Sequence, residues 1–304
     1  MSFTDAQNLF KTIEPELKHY NWVSNSVLKP SNPWLQYGQH HGKQPLSFLV
    51  SKGRLKAVES ILDFHQKTNM DVGLEQAWFE LVHPFHAKPF VDLFLKLNIP
   101  LNLVQPQDEQ TLLIKSIFYS NEETITALLE HGADPNFKPP KGPFSPLDAL
   151  LKVNCSLSVF HLFLEKGLNL FHLEEEYAHK NPVEYFCFKD VEFTKLLLKF
   201  GLNPNFSTKP IFNHLERYPL LFQIIRQNIA EQNSKKIRSF SKIVDALIEA
   251  GADVNVHISG KHLGEYNRKM EHPFTSIEYL YQKFLLNQTL SSASNPTKPN
   301  SSRI

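Results

Sequence analysis

The sequence predicts an all-α solenoid: about seven helix–turn–helix units, stacked in chain order and joined by irregular loops. Three observations carry this. A helix stop recurs, reading "EHGADPNF" at 130–137, "EKGLNLFH" at 165–172, "KFGLNPNF" at 199–206 and "EAGADVNV" at 249–256. The stops keep a period: Gly132 to Gly167 is 35 residues, Gly167 to Gly201 is 34, and Asn98 in "KLNIPLNL" stands 34 before Gly132. A second landmark lies about 20 residues upstream of each stop. Fixed self-similarity at such a period is the signature of stacked repeats.

The upstream landmark reads "QPLSFL" at 44, "AWFELV" at 77, "QTLLIK" at 110, "SPLDAL" at 145, "NPVEYF" at 181, "YPLLFQ" at 218 and "HPFTSI" at 272. Proline before an apolar residue suits a first helix, because its φ is already helical and its missing N–H costs nothing in the first turn. Between landmarks the apolar spacing is helical: Ile125, Leu128 and Leu129 share a face, as do Val191, Leu197 and Leu198. The closing glycine, or asparagine, supplies a left-handed stop. No unit of this size buries its apolar face alone, so neighbours must stack.

At this point the chain resembles the ankyrin-repeat proteins. "QPLSFLVSKGRLKAVESIL" (44–62) is similar to that family's first helix, glycine turn and second helix, with Gly53 at the turn. "TLLIKSIFYSNEETITALLEHGADPN" (111–136) matches the unit without a gap, and "ALIEAGADVN" (246–255) matches its most recognisable string. The repeat domain is placed at 39–287. The family's TPLH motif, which interlocks neighbouring units through a Thr and a His, is eroded. The threonine survives only as Thr111, and the histidine position holds Ser47, Ile114, Asp148, Glu184, Leu221 or Thr275. An irregular stack, less stable than a consensus array, is expected. The resemblance implies protein recognition through the concave face, loop fingers and first helices, with no catalytic residues and no cofactor.

The sixth unit, about 207–258, deviates most. Gly201 to Gly251 spans 50 residues, and the insertion "RQNIAEQNSKKIRSF" keeps a helical pattern on both sides of a polar bend. Two helices, each longer by about two turns, are expected, with Lys235, Lys236 and Arg238 near the tip. Those cations are either a solvated face or a contact for an acidic partner or a phosphate. The loops supply the other partner-binding candidates: Phe144 after the proline-stiffened "KPPKGP", Tyr177 and His179 in the acidic "HLEEEYAHKN", and Phe212 and Arg217 in "STKPIFNHLERYP". Exposed aromatic and Arg side chains are the commonest hot-spot chemistry. Phe144 and Phe212 can equally fold back as core.

Residues 1–38 fit no repeat and read as a helical N-terminal cap, with Thr4 a candidate N-cap and Trp22 and Trp34 shielding the first unit. Residues 288–304 are Ser/Asn/Pro-rich and read as a disordered tail.

Composition excludes several classes. Thirty-two basic against 31 acidic residues leave a net charge of +1, which argues against a dedicated nucleic-acid binder. No apolar run reaches membrane-spanning length, and no leader is expected. Cys155 and Cys187 are too few for a disulfide framework, and their apolar neighbours point to buried thiols in helices. His83 and His86 lack further ligands for zinc, so no metal is expected.

The favoured reading is a monomeric cytoplasmic scaffold that binds another protein. A sharper form makes it a host-directed effector of an intracellular bacterium, acting in host cytosol. That form rests on the divergent repeats, the Phe-, Lys-, Asn- and Ile-rich usage and the polar tail. The competing classes are an enzyme with its site in the N-terminal segment or sixth-unit hairpin, and an acidic-surface or phosphoinositide binder using the basic tip.

Overall fold

The structure is a computed structural model. It describes residues 44–69, 71–83, 87–170, 181–208, 218–230 and 234–254, with positions 13, 15, 16 and 285, and the side chains of 226–239 fall outside the description. The chain forms two compact units, Met1–Asn169 and Leu170–Ile304.

The first unit holds four helix pairs. In order they are α1 (Pro45–Ser51) with α2 (Leu55–Thr68), and α3 (Leu74–Phe79), extended by a 3-10 turn at Glu80–Val82, with α4 (Lys88–Leu95). Then come α5 (Leu112–Phe118) with α6 (Glu122–Glu130), and α7 (Pro146–Lys152) with α8 (Leu157–Glu165). First helices pack on first helices, α1 on α3 and α5 on α7. Second helices pack on second, α2 on α4, α4 on α6 and α6 on α8. The core runs between the two layers. Leu46, Leu49, Trp78, Phe94, Leu112, Ile114, Leu128, Phe160 and Phe163 are all almost completely buried. This is an all-α repeat stack. A short antiparallel hairpin, β1 (Val104–Gln105) with β2 (Gln110–Thr111), precedes α5.

The second unit continues with α9 (Pro182–Lys189), α10 (Val191–Lys199), the hairpin β3 (Ser207–Thr208) with β4 (Tyr218–Pro219), α11 (Leu220–Ala230) and α12 (Ser234–Glu249). Over the described residues the last pair is longer than the pair before it. At 16 residues α12 exceeds the nine of α10 by about two turns, whereas the 11 of α11 exceed the eight of α9 by less than one. In the first pair α2, at 14 residues, is also long, and no insertion announced it.

Helix starts show what the eroded motif still does. Thr111 Oγ1 accepts from the Ile114 N–H at 3.2 Å. Ser145 stands in its place before α7, with Asp148 closing a capping box through the Ser145 N–H at 2.7 Å. Asn181 does the same for α9, accepting from Val183 and Glu184. The threonine's letter is lost but its oxygen is replaced, and each such cap is worth about 1 kcal/mol. The histidine's role is not always replaced. Ser47, at that position in α1, is fully buried with its hydroxyl unpartnered. Its neighbour in the layer, Trp78, likewise buries an unpartnered indole N–H. Orphans of this kind cost about 1–3 kcal/mol each. Cross-repeat bonds come from elsewhere: Thr124 Oγ1 donates to the Leu81 carbonyl at 2.8 Å, and Asn121 Nδ2 to that of Val82 at 2.9 Å.

From α6 onward the described second-helix ends follow one rule, while α2 ends on left-handed Asn69. Gly132 sits at φ +93°, its N–H donates to Leu129 O, and the Ala133 N–H donates to Leu128 O. Gly167, Gly201 and Gly251 repeat the pattern, each followed by a buried Leu168, Leu202 or Ala252. This double bond with an apolar residue behind the glycine is the Schellman stop. Asn98 takes the glycine's place at φ +57°, as its register required.

Of the proposed N-terminal cap, only Ile13, helical and buried, and Glu16, 3.3 Å from Arg54, belong to the described residues that bear on it. The 288–304 tail lies outside them.

Candidate functional site

The loops before α5 and α7 are fixed by chemistry particular to these two repeats. Lys115, one turn into α5, donates to Asp108 at 2.6 Å and to Gln105, pinning the β1–β2 hairpin to the helix. Glu109 turns the hairpin at φ +56°. The next loop, 137–145, lies tightly against it. A Cβ on Gly142 would stand 2.3 Å from the Glu109 carbonyl oxygen and 2.8 Å from Pro139 Cβ. Only glycine allows that approach, and buried Pro139 accepts the Gly142 N–H at 3.1 Å.

That loop delivers Phe144. Its ring packs edge-on against Phe118 of α5 at 5.3 Å, and the Lys152 ammonium, from the end of α7, sits 3.9 Å over its face. Beside Phe118, Tyr119 caps α5 and is 58% exposed, its ring edge-on to His83 at 5.4 Å. The C-terminal ends of three successive first helices thus carry a row running from His83 through Tyr119, Phe118 and Phe144 to Lys152. A desolvated cation over an aromatic face is worth up to about 2 kcal/mol, and less where exposed.

Charges differ between the two layers. On the second helices two ion pairs join neighbouring repeats. Lys88 of α4 donates to Glu130 of α6 at 2.7 Å, which holds that carboxyl below its ordinary range and the ammonium above its own. His131 meets Asp92 at 3.2 Å. On the row, Lys152 and the exposed Lys141 have no carboxylate partner among the described residues, while Asp108 and Asp148 are committed to Lys115 and Ser145.

The string that closes each unit is explained letter by letter. Asp134 Oδ1 accepts from the Asn136 N–H at 2.8 Å, turning the chain. Asn136 then reaches to the next repeat, donating from Nδ2 to Gly167 O at 2.9 Å and accepting at Oδ1 from the Asn169 N–H at 2.8 Å. Asn205 spans to Gly251 and Asp253 in the same way, at 3.4 and 2.7 Å. Asn102 accepts from the Asp134 N–H at 3.3 Å. Helix pair, left-handed stop, bent loop and bridging asparagine recur together. That combination is the architecture of an ankyrin-type repeat stack. Among solved structures, the human ASB11 ankyrin repeat domain is 18% identical, with 84% of this chain and 100% of that one covered and a TM-score of 0.45. The ankyrin repeat domain of Bcl-3 is also 18% identical, over 68% of this chain and 99% of that one, with a TM-score of 0.41. No protein-family model and no curated protein sequence matches the chain.

Of the residues singled out from sequence, Phe144 stands in the row, half-buried rather than projecting. Tyr177, His179, Phe212 and Arg217 lie outside the described residues. Lys235, Lys236 and Arg238 fall in the first turns of α12, with their side chains outside the description. Tyr119, Phe118, Lys141 and Lys152 were missed. Their signal was available in register, since position 119 holds a large aromatic directly after an apolar ankyrin helix.

The cysteines need one correction. Cys187, on α9, is fully buried, and burial pushes its thiol up to about 12. Cys155 is in the turn between α7 and α8, not in a helix, and is half-buried. No described helix is long and apolar enough to cross a membrane.

Proposed function

We propose that the chain is a protein-recognition scaffold whose ankyrin repeats present the ends of the first helices and the preceding loops to a partner. The observation that supports this most is the row around Tyr119: an exposed tyrosine beside the Phe118–Phe144 contact, whose loop Gly142 fixes. A preorganised surface loses little conformational entropy on binding. A photo-crosslinking amino acid at position 119, compared with one at exposed Lys166 on the second-helix layer, tests it in cell extract. Adducts specific to position 119 are expected. Equal or absent yields from the two positions would contradict the reading.

The sharper form, a host-directed effector, is supported by sequence alone: the divergent repeats, the Phe-rich usage and the polar 288–304 segment. A reporter fusion active only in host cytosol tests it, and signal confined to the producing cell would contradict it.

A further inference from the structure

We infer that the row takes an acidic peptide segment of a partner protein, anchored by an aromatic or long apolar side chain. This rests on the recognition reading and adds the partner's chemistry to it.

Charge gives the sign. Among the described residues Lys152 and Lys141 both lack a carboxylate partner, and both stand at Phe144, one over its face at 3.9 Å and the other three residues before it in the same fixed loop. Two described carboxylates of the same loops are occupied. Asp148 accepts from Ser145 at 2.7 Å, and Asp108 from Lys115 at 2.6 Å. Acidic side chains are therefore the groups this surface can still bind.

Shape gives the anchor. Tyr119 offers most of its ring, 58% exposed, with one edge held by His83 at 5.4 Å. An apolar side chain laid on Tyr119 and Phe118 would place flanking carboxylates toward Lys152 and Lys141. A single-stranded nucleic acid also likes lysines and aromatics, but it needs open ring faces on which successive bases stack. Here Phe144 is covered by Lys152 and packs edge-on to Phe118.

The test uses the full chain. Random peptides displayed on phage are selected against it at low and high salt, with labelled oligothymidine as a second probe. The expected result is enrichment of Asp/Glu-rich peptides containing Trp, Phe or Leu, with binding that weakens as salt rises. The double variant Lys141→Glu/Lys152→Glu should bind them at least about ten-fold more weakly. Both sites are exposed, and an unchanged melting curve confirms folding. Overturning results are enrichment without acidic bias, acidic peptides retained by the double variant, no enrichment, or tighter binding of oligothymidine. The two readings fail separately. If adducts specific to position 119 persist while acidic peptides do not bind, only the partner chemistry falls. If neither is seen, the recognition reading falls with it.

Discussion

At the ends of its second helices the chain repeats itself, and at the ends of its first helices it does so only in part. The second helices close on Asn69, Asn98, Gly132, Gly167, Gly201 and Gly251, all left-handed, with asparagines bridging onward from 102, 136 and 205. Among the first helices α1 and α5 also turn through left-handed residues, Gly53 and Ser120, just after Lys52 and Tyr119, whereas the chain leaves α7 and α9 extended, through Val153 and Asp190. The difference teaches where constraint lies. A left-handed stop that also feeds a hydrogen-bonded loop admits few residues. A first-helix end that leaves in extended backbone admits many and is free to diverge toward a partner.

The largest expected effect is on the repeated side. Gly132→Val places a β-branched residue at φ +93° with nothing for its side chain to meet, so the cost is backbone strain, about 1–3 kcal/mol in urea unfolding. Gly132→Asn should cost distinctly less, since Asn98 already does this work. Gly142→Ala is next. Its Cβ would press on a backbone oxygen at 2.3 Å, so the loop must move, with a loss of about 1–3 kcal/mol and weaker cross-linking from position 119. Asn136→Ala removes two bridging bonds at an exposed turn and should cost about 1 kcal/mol without touching binding.

The smallest effect concerns the thiols. Ellman titration of the folded chain near pH 8 should find Cys155 reactive and Cys187 silent until unfolding. Folding raises the Cys187 pKa from 9.0 to about 12, so its stabilising contribution is full below pH 9 and is lost as pH rises toward 12. Two thiols reacting at one rate would contradict this.

Much of the stack was legible because stops and proline starts are local and chemically narrow. Asn98 could be placed as a stop from register alone. Ser120, left-handed at φ +54° where the first repeat uses Gly53, could not, because serine carries no such preference. The caps at Ser145 and Asn181 were hidden for the opposite reason. Different letters supply the same oxygen, so a search for threonine passes over them. The row was harder still. Phe144 was visible as a loop aromatic, but Tyr119 and Lys152 sit at the ends of apolar helices, and only packing of neighbouring repeats shows that they meet one surface.

Tyr119→Ala, followed by urea unfolding and by affinity for the enriched acidic peptides on the same preparation, separates scaffold from surface most directly. The expected result is stability within about 0.5 kcal/mol of the parent chain with affinity at least about ten-fold lower. Lost stability with unchanged affinity would show that Tyr119 belongs to the stack and that the divergent ends recognise nothing.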